Sequence, residues 1–308
     1  MAGALKIELG VKSDPIEYRY SFEWLFRVMA EEGVRNLQAG SFFELYQLPN
    51  EYFLELRRNA AAHGVAITSM FTAHRELGGF YRVDPRWEQV ARRNYERFIE
   101  VGGLLGARSV GSNPGATLRD AMQDKDAGTA CYLRNMKELM AYAPRHGVEC
   151  LTVEPMSCLA EPPTLPEEMA AYIEPLRAHR ETHPDSARPG LCADTSHGYA
   201  DAEGVVRYTH MELLEASLPY VTELHVKNTD EMFDSTFGFT PEERGRGIVD
   251  LAAVRALLEE NANRLPQREI IAYLEIGGPK LGRDYSDPLL ERHLRESLRH
   301  MAETLKTD

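Results

Sequence analysis

The sequence predicts a single-domain α/β protein, a (β/α)8 TIM barrel spanning residues 1–308. Three observations predict it. Short apolar, β-prone runs recur eight times with helical patterns between them. No Pro/Gly/Ser-rich linker divides the chain. Unusual polar residues, Asn113, Glu154, Asp194, His225 and Glu275, gather at the carboxyl ends of the runs. A doubly wound sheet would give the same alternation, but in a barrel those ends converge on the one face where active sites are built.

The eight runs, in order, are "LKIELGV" (5–11), "VRNLQAG" (34–40), "VAITSMF" (65–71), "ARSVGSN" (107–113), "VECLTVE" (148–154), "PGLCADT" (189–195), "VTELHVK" (221–227) and "IIAYLEI" (270–276). Helical patterns lie between them, among them residues 21–33, 50–64, 85–106, 131–147 and 250–261. Several close on a glycine, as helix ends often do. Trp24 and Trp87 fall in these patterns and are expected to pack helix against barrel. The longest loop, "NTDEMFDSTFGFTPEERGRG" (228–247), follows strand seven without a helical period and is expected to cover a substrate. Phe71, Phe80, Tyr81, Phe233, Phe237 and Phe239 would suit a larger or partly aromatic substrate, although packing their own loops is the simpler role.

Composition narrows the function classes. Hydrophobic residues make up 43% of 308 positions, enough to fill a sizeable core. The formal net charge of −13 is spread without a Lys/Arg patch able to grip a phosphate backbone, so nucleic acid is not an expected partner. No long apolar run and no signal-like start suggest a membrane partner or export, and the expected location is cytoplasmic. Cys131, Cys150, Cys158 and Cys192 form no C-x-x-C pair and are expected to be buried free thiols.

Strand alternation sharpens the chemistry, because residues two apart share a face. Glu223, His225 and Lys227 share one, and so do the pairs Thr152 and Glu154, Cys192 and Asp194, Tyr273 and Glu275. Glu154, Asp194, His225 and Glu275 can therefore point into the barrel mouth together. A lone acid at a strand end is as readily a cap or an ion pair. Four successive strands ending this way instead suggest a divalent metal site, with Mn²⁺ most favoured and Mg²⁺, Co²⁺ or Zn²⁺ possible. Lys227 would face a substrate hydroxyl or carboxylate, and His74, beyond strand three, could reach the mouth from the opposite wall.

The runs "VEP" (153–155), "ADTSH" (193–197), "ELHVKNTD" (223–230), "GRG" (245–247) and "LEIGG" (274–278) resemble the xylose-isomerase-like sugar isomerase and epimerase superfamily. Its ketose 3-epimerases, hydroxypyruvate isomerases and inosose dehydratases share the barrel. The resemblance covers essentially the whole chain and is sharpest in the second half. It implies that Glu154, Asp194, His225 and Glu275 hold one divalent metal, that His197 touches substrate oxygens, and that relatives are often homo-oligomers. An arginine shortly before the "GxG" turn, helping to hold a glutamate and the substrate, is also implied; "PEERGRG" offers Arg244 and Arg246, in a loop longer than the pattern.

The expected function is isomerisation or epimerisation of a keto-sugar, or a related polyhydroxylated carbonyl compound, through an enediolate, with Glu154 and Glu275 as the catalytic acid and base. The alternative is a lyase on the same site: dehydratase, decarboxylase, or β-elimination cleaving a C-glycoside. A repair endonuclease would need more histidines and a basic face, and a scaffold protein would not need the ligand set. The lack of a clear glycine-rich phosphate cradle favours an unphosphorylated carbohydrate.

Overall fold

Alternating apolar positions in strands, and apolar positions three or four apart in helices, must find a common core. In the computed structural model, which describes residues 4–14, 16, 18–72 and 77–307, the strands close into an eight-stranded parallel barrel. They are β1 (Lys6–Lys12), β2 (Asn36–Ala39), β3 (Ala66–Thr72), β4 (Ser109–Ser112), β5 (Cys150–Val153), β6 (Arg188–Asp194), β9 (Val221–Val226) and β10 (Glu269–Leu274). Their order is β1-β10-β9-β6-β5-β4-β3-β2, so neighbours in sequence are neighbours in space. A small hairpin, β7 (Tyr199–Ala200) and β8 (Val206–Tyr208), stands apart.

The helices are α1 (Phe22–Glu31), α2 (Asn50–Ala62), α3 (Pro85–Leu105), α4 (Lys125–Tyr142), α5 (Pro166–Thr182), α6 (His210–Ser217), α7 (Pro241–Arg244), α8 (Leu251–Glu260) and α9 (Leu289–Thr304). Side chains start several of them. Ser21 accepts from Trp24 N, Asp84 from Arg86 N, and Asp250 from Ala252 N and Ala253 N. Gly106 then ends α3 at φ 88°, the left-handed turn that glycine supplies at least cost.

The chain forms two compact units. The first is Met1–Ala39, Arg58–Ala66 and Ala193–Asp308. In it β1 pairs with β10 from Lys6↔Glu269 to Val11↔Leu274, and β10 pairs with β9 so that Tyr273 stands beside His225. A Cβ at Gly10 would collide with the Tyr273 ring and the Asn36 carbonyl, so only glycine admits that ring. On α9, Leu290, Leu294, Leu298 and Met301 are buried, while Arg295 and Arg299 bind Glu32 at the end of α1.

The second unit is Gly40–Arg57 and Ile67–Cys192. Parallel pairing joins β3 to β4, β4 to β5 and β5 to β6. Its core is aromatic: Tyr132 lies 5.7 Å from Tyr172, 6.5 Å from Tyr81 and 6.0 Å from Phe80, ring centre to ring centre. Burial pushes the Tyr95 hydroxyl up to about 12, with Ser112 pulling the other way, so it stays a neutral core group.

Two sequence expectations meet corrections here. Trp87 is 52% exposed, in the first turn of α3, with the Arg82 guanidinium 5.2 Å above its ring. The helix buries Ala91, Tyr95, Phe98 and Ile99 instead; Trp24 is half-buried and stacks on Tyr20 at 4.1 Å. Only Cys150 and Cys192 of the four free thiols are buried, the other two being half-buried. Burial, reinforced by Glu88, still lifts Cys131 to about 11. The loop aromatics keep the simpler packing role: Phe71, Phe80, Tyr81, Phe237 and Phe239 are all buried.

The 228–247 segment is correspondingly tied down. Asn228 and Phe237 exchange backbone hydrogen bonds, Asn228 Oδ1 accepts from Thr229 N and Val249 N, and α7 is capped by Thr240, which accepts from Glu243 N. A side chain at Gly247 would run into the Asn228 amide.

Candidate metal centre

The carboxyl ends of β6, β9 and β10 carry Asp194, His225 and Glu275, and backbone bonds bring them together. Thr195 N donates to the His225 carbonyl at 3.1 Å and Glu275 N to the Val226 carbonyl at 2.9 Å. The Thr195 hydroxyl accepts from Lys227 N and donates to Lys227 O, stapling the end of β6 to that of β9.

Asp194 is buried. Ser196 N and Ser196 Oγ both donate to its Oδ1 at 2.7 Å, leaving Oδ2 without a hydrogen bond but 2.9 Å from Lys227 Nζ and 3.8 Å from His197 Nε2. His225 is fully buried; its Nε2 lies 2.7 Å from Gln38 Oε1 and its Nδ1 3.0 Å from Glu275 Oε2. An amide oxygen can only accept, so Nε2 carries a proton; Nδ1 donates to Glu275 when the ring is an imidazolium and offers its lone pair to a metal ion when the ring is neutral. Two acceptors 3.0 Å apart repel unless a cation, either a proton or a metal ion, stands between them.

Glu275 is ringed by cations. Its Oε1 takes Lys12 Nζ at 3.1 Å, while Lys227 Nζ lies 3.7 Å from Oε2. Burial would raise this carboxyl, but Lys12, Lys227 and His225 outweigh burial and hold it well below the ordinary carboxylate range. In the second unit, at the end of β5, Glu154 is 5% exposed and accepts from Asn113 Nδ2 at 2.7 Å.

Glu154, Asp194, His225 and Glu275 each offer one ligand atom, and those atoms all lie within 4.8 Å of one another. This compact set could bind a metal ion. Three carboxylate oxygens and one imidazole nitrogen suit a hard or borderline divalent ion. Buried Asp194 Oδ2 and Glu275 Oε2, both without a hydrogen bond, fit such an ion as well.

The other sequence candidates divide. His197 and Lys227 lie beside Asp194, as given above. Arg246 is exposed and lays its guanidinium 4.2 Å over the Phe237 ring, and Arg244 ends α7, also exposed. His74 lies outside the described residues. Lys12 and Gln38 were missed by the sequence reading. Lys12 had a signal, since it follows the apolar run of strand one as the other candidates follow theirs; Gln38 had only its polarity inside a buried strand.

A family model, xylose isomerase-like TIM barrel, matches residues 26–304. The chain belongs to that family. This xylose isomerase-like barrel is similar to a xylose isomerase candidate from Rhodospirillum rubrum, with TM-score 0.79 and 16% identity over 97% of this chain and 99% of that one. It is also similar to the D-psicose 3-epimerase of Clostridium cellulolyticum, with TM-score 0.71 and 15% identity over 97% and 100%. The 3-keto-D-glucoside 4-epimerase of E. coli gives TM-score 0.63 and 14% identity over 97% and 100%. No curated protein sequence matches the chain. Among the described residues no helix is long and apolar enough to cross a membrane.

One consequence concerns Gln38. A ligating histidine whose other ring nitrogen loses its acceptor loses both orientation and basicity. Gln38→Leu should therefore weaken manganese affinity of this xylose isomerase-like barrel by about 10–100-fold. Titration calorimetry measures it; an unchanged affinity would show that Gln38 does not position His225.

Proposed function

We propose that the chain is a divalent-metal-dependent isomerase or epimerase of a keto-sugar, or of a related polyhydroxylated carbonyl compound. The observation that carries this reading is the convergence of Glu154, Asp194, His225 and Glu275 within 4.8 Å. These four residues would hold the ion, with manganese first among the choices because oxygen donors dominate. When bound, it would supply Lewis-acid polarisation of a carbonyl and its neighbouring hydroxyl.

The rest of the chemistry belongs to side chains. Glu275 stays ionised between Lys12 and Lys227, and so is in the form that removes a proton next to the carbonyl. Glu154, fixed by the Asn113 amide, returns a proton to the neighbouring position or the other face. His197 and Lys227 donate to substrate oxygens, and donation stabilises the negative charge that develops on them. The epimerase names among the structural neighbours support a carbohydrate substrate.

Elimination is the second reading. It draws on Lys12 and Lys227, ammonium groups at the same carboxylates that could protonate a departing oxygen. Incubation of the manganese-loaded protein with ketoses and 3-keto-glycosides, followed by mass spectrometry, separates the two. A new sugar of unchanged mass, lost on chelation, is expected. Loss of water, carbon dioxide or an aglycone would favour the lyase, and no metal-dependent conversion of any sugar would count against both.

A further inference from the structure

Beside Glu275 the first unit holds a cavity of about 300 Å³, at the lower end of the range for small-molecule sites, about 300–1,000 Å³. Asp14, Tyr18, Arg19, Thr236, Glu275 and Leu281 line it. Arg19 is the unusual member. Its side chain is only 9% exposed, its Nε stands 3.9 Å from Asp287 Oδ1, and its Nη1 has no hydrogen-bond partner. A buried guanidinium nitrogen without an acceptor is costly, so a position like this one calls for an acceptor from outside the chain. Gly278, at φ 65°, leaves room for the guanidinium to sit there: a Cβ would stand 2.8 Å from that nitrogen.

The surrounding charge selects the kind of acceptor. Lys12 and Arg19 face Asp14, Glu275 and Asp287, so an incoming anion would meet more carboxylates than cations. A hydroxyl group meets no such opposition, because it can accept from Arg19 and donate to Asp14. Tyr18, 68% exposed and at φ 71°, adds an apolar ring face, the surface that the C–H side of a sugar ring covers.

We propose that this cavity is a second carbohydrate subsite, taking a neutral sugar ring linked to the keto-sugar at the metal centre, with Arg19 donating to one of its hydroxyls; it rests on the keto-sugar reading above. The substrate is then a glycosylated ketose rather than a free monosaccharide. The cavity adjoins a proposed catalytic carboxylate, so the second ring is held while the first reacts.

The test is calorimetric titration of the full, manganese-loaded chain with D-fructose, D-fructose 6-phosphate and the keto-disaccharides isomaltulose, turanose, leucrose and lactulose. At least one keto-disaccharide should bind about tenfold tighter than fructose, the worth of one well-made hydrogen bond to a charged group. Arg19→Ala should bring that ratio close to one. Tyr18→Gly, a surface change that suits the left-handed backbone, should lower it severalfold and keeps the test open if Arg19→Ala fails to fold. Equal binding of fructose and every keto-disaccharide, or a preference that survives Arg19→Ala, would overturn the subsite and leave the keto-sugar reading standing. An Arg19-dependent gain for fructose 6-phosphate alone would overturn it in favour of an anion site. If none of these sugars binds, both readings fall.

Discussion

Replacing Glu275 or Glu154 by glutamine should each cut turnover of a ketose by about 10²–10⁴-fold, the range for losing a positioned proton-transfer group, while the metal stays bound. Glutamine keeps the length of the side chain and an oxygen able to ligate, and removes the negative charge and with it the capacity to take up a proton. The two variants differ in their surroundings. Glu275→Gln leaves Lys12 and Lys227 with one carboxylate fewer, so its melting temperature must be followed beside its activity. Glu154→Gln changes the group that accepts from the Asn113 amide, and an amide oxygen there can still accept that bond. Exchange of the substrate proton with deuterated water separates the roles: a variant that still exchanges but forms no product retains the residue that removes the proton. If both variants turn over at near-normal rates with metal bound, Glu154 and Glu275 are ligands alone.

Strand alternation was enough to align the four ligand-type residues, because a strand fixes side-chain direction by counting. Loops offer no such count. The hairpin of β7 and β8 escaped notice for that reason: its turn is held by Asp201 Oδ1, which accepts from Glu203 N and Val205 N, and short exposed strands leave no hydrophobic alternation. Arg246 was named from the resemblance, as an arginine before the GxG turn after the seventh barrel strand; what the sequence did not show is that Phe237, bridged to Asn228, lies under its guanidinium. Lys12 was legible in principle and overlooked because lysine is not a metal ligand at neutral pH. Its effect on Glu275 appears only when β1 and β10 are known to be neighbours.

Asp194→Ala and His225→Ala should each strip the protein of most of its metal while leaving the barrel folded. Removing Asp194 takes away the Oδ2 that stands 2.9 Å from Lys227, and it also frees Ser196 N and Oγ from their shared acceptor. Removing His225 takes away the nitrogen facing Glu275 and leaves Gln38 without its donor. In both cases the remaining acids keep their cations: Lys12 still reaches Glu275, and Lys227 remains to neutralise whichever carboxylate survives beside it. That residual compensation is why the fold should persist where metal binding does not. Two measurements check this together. Elemental analysis of dialysed protein should show wild-type metal content and a loss of about tenfold or more in the variants. Manganese at a hundredfold excess over its Kd should stabilise wild type against denaturant by about 2.7 kcal/mol and leave the variants unmoved. A variant that keeps full metal content and the full stabilisation would remove its residue from the ligand set.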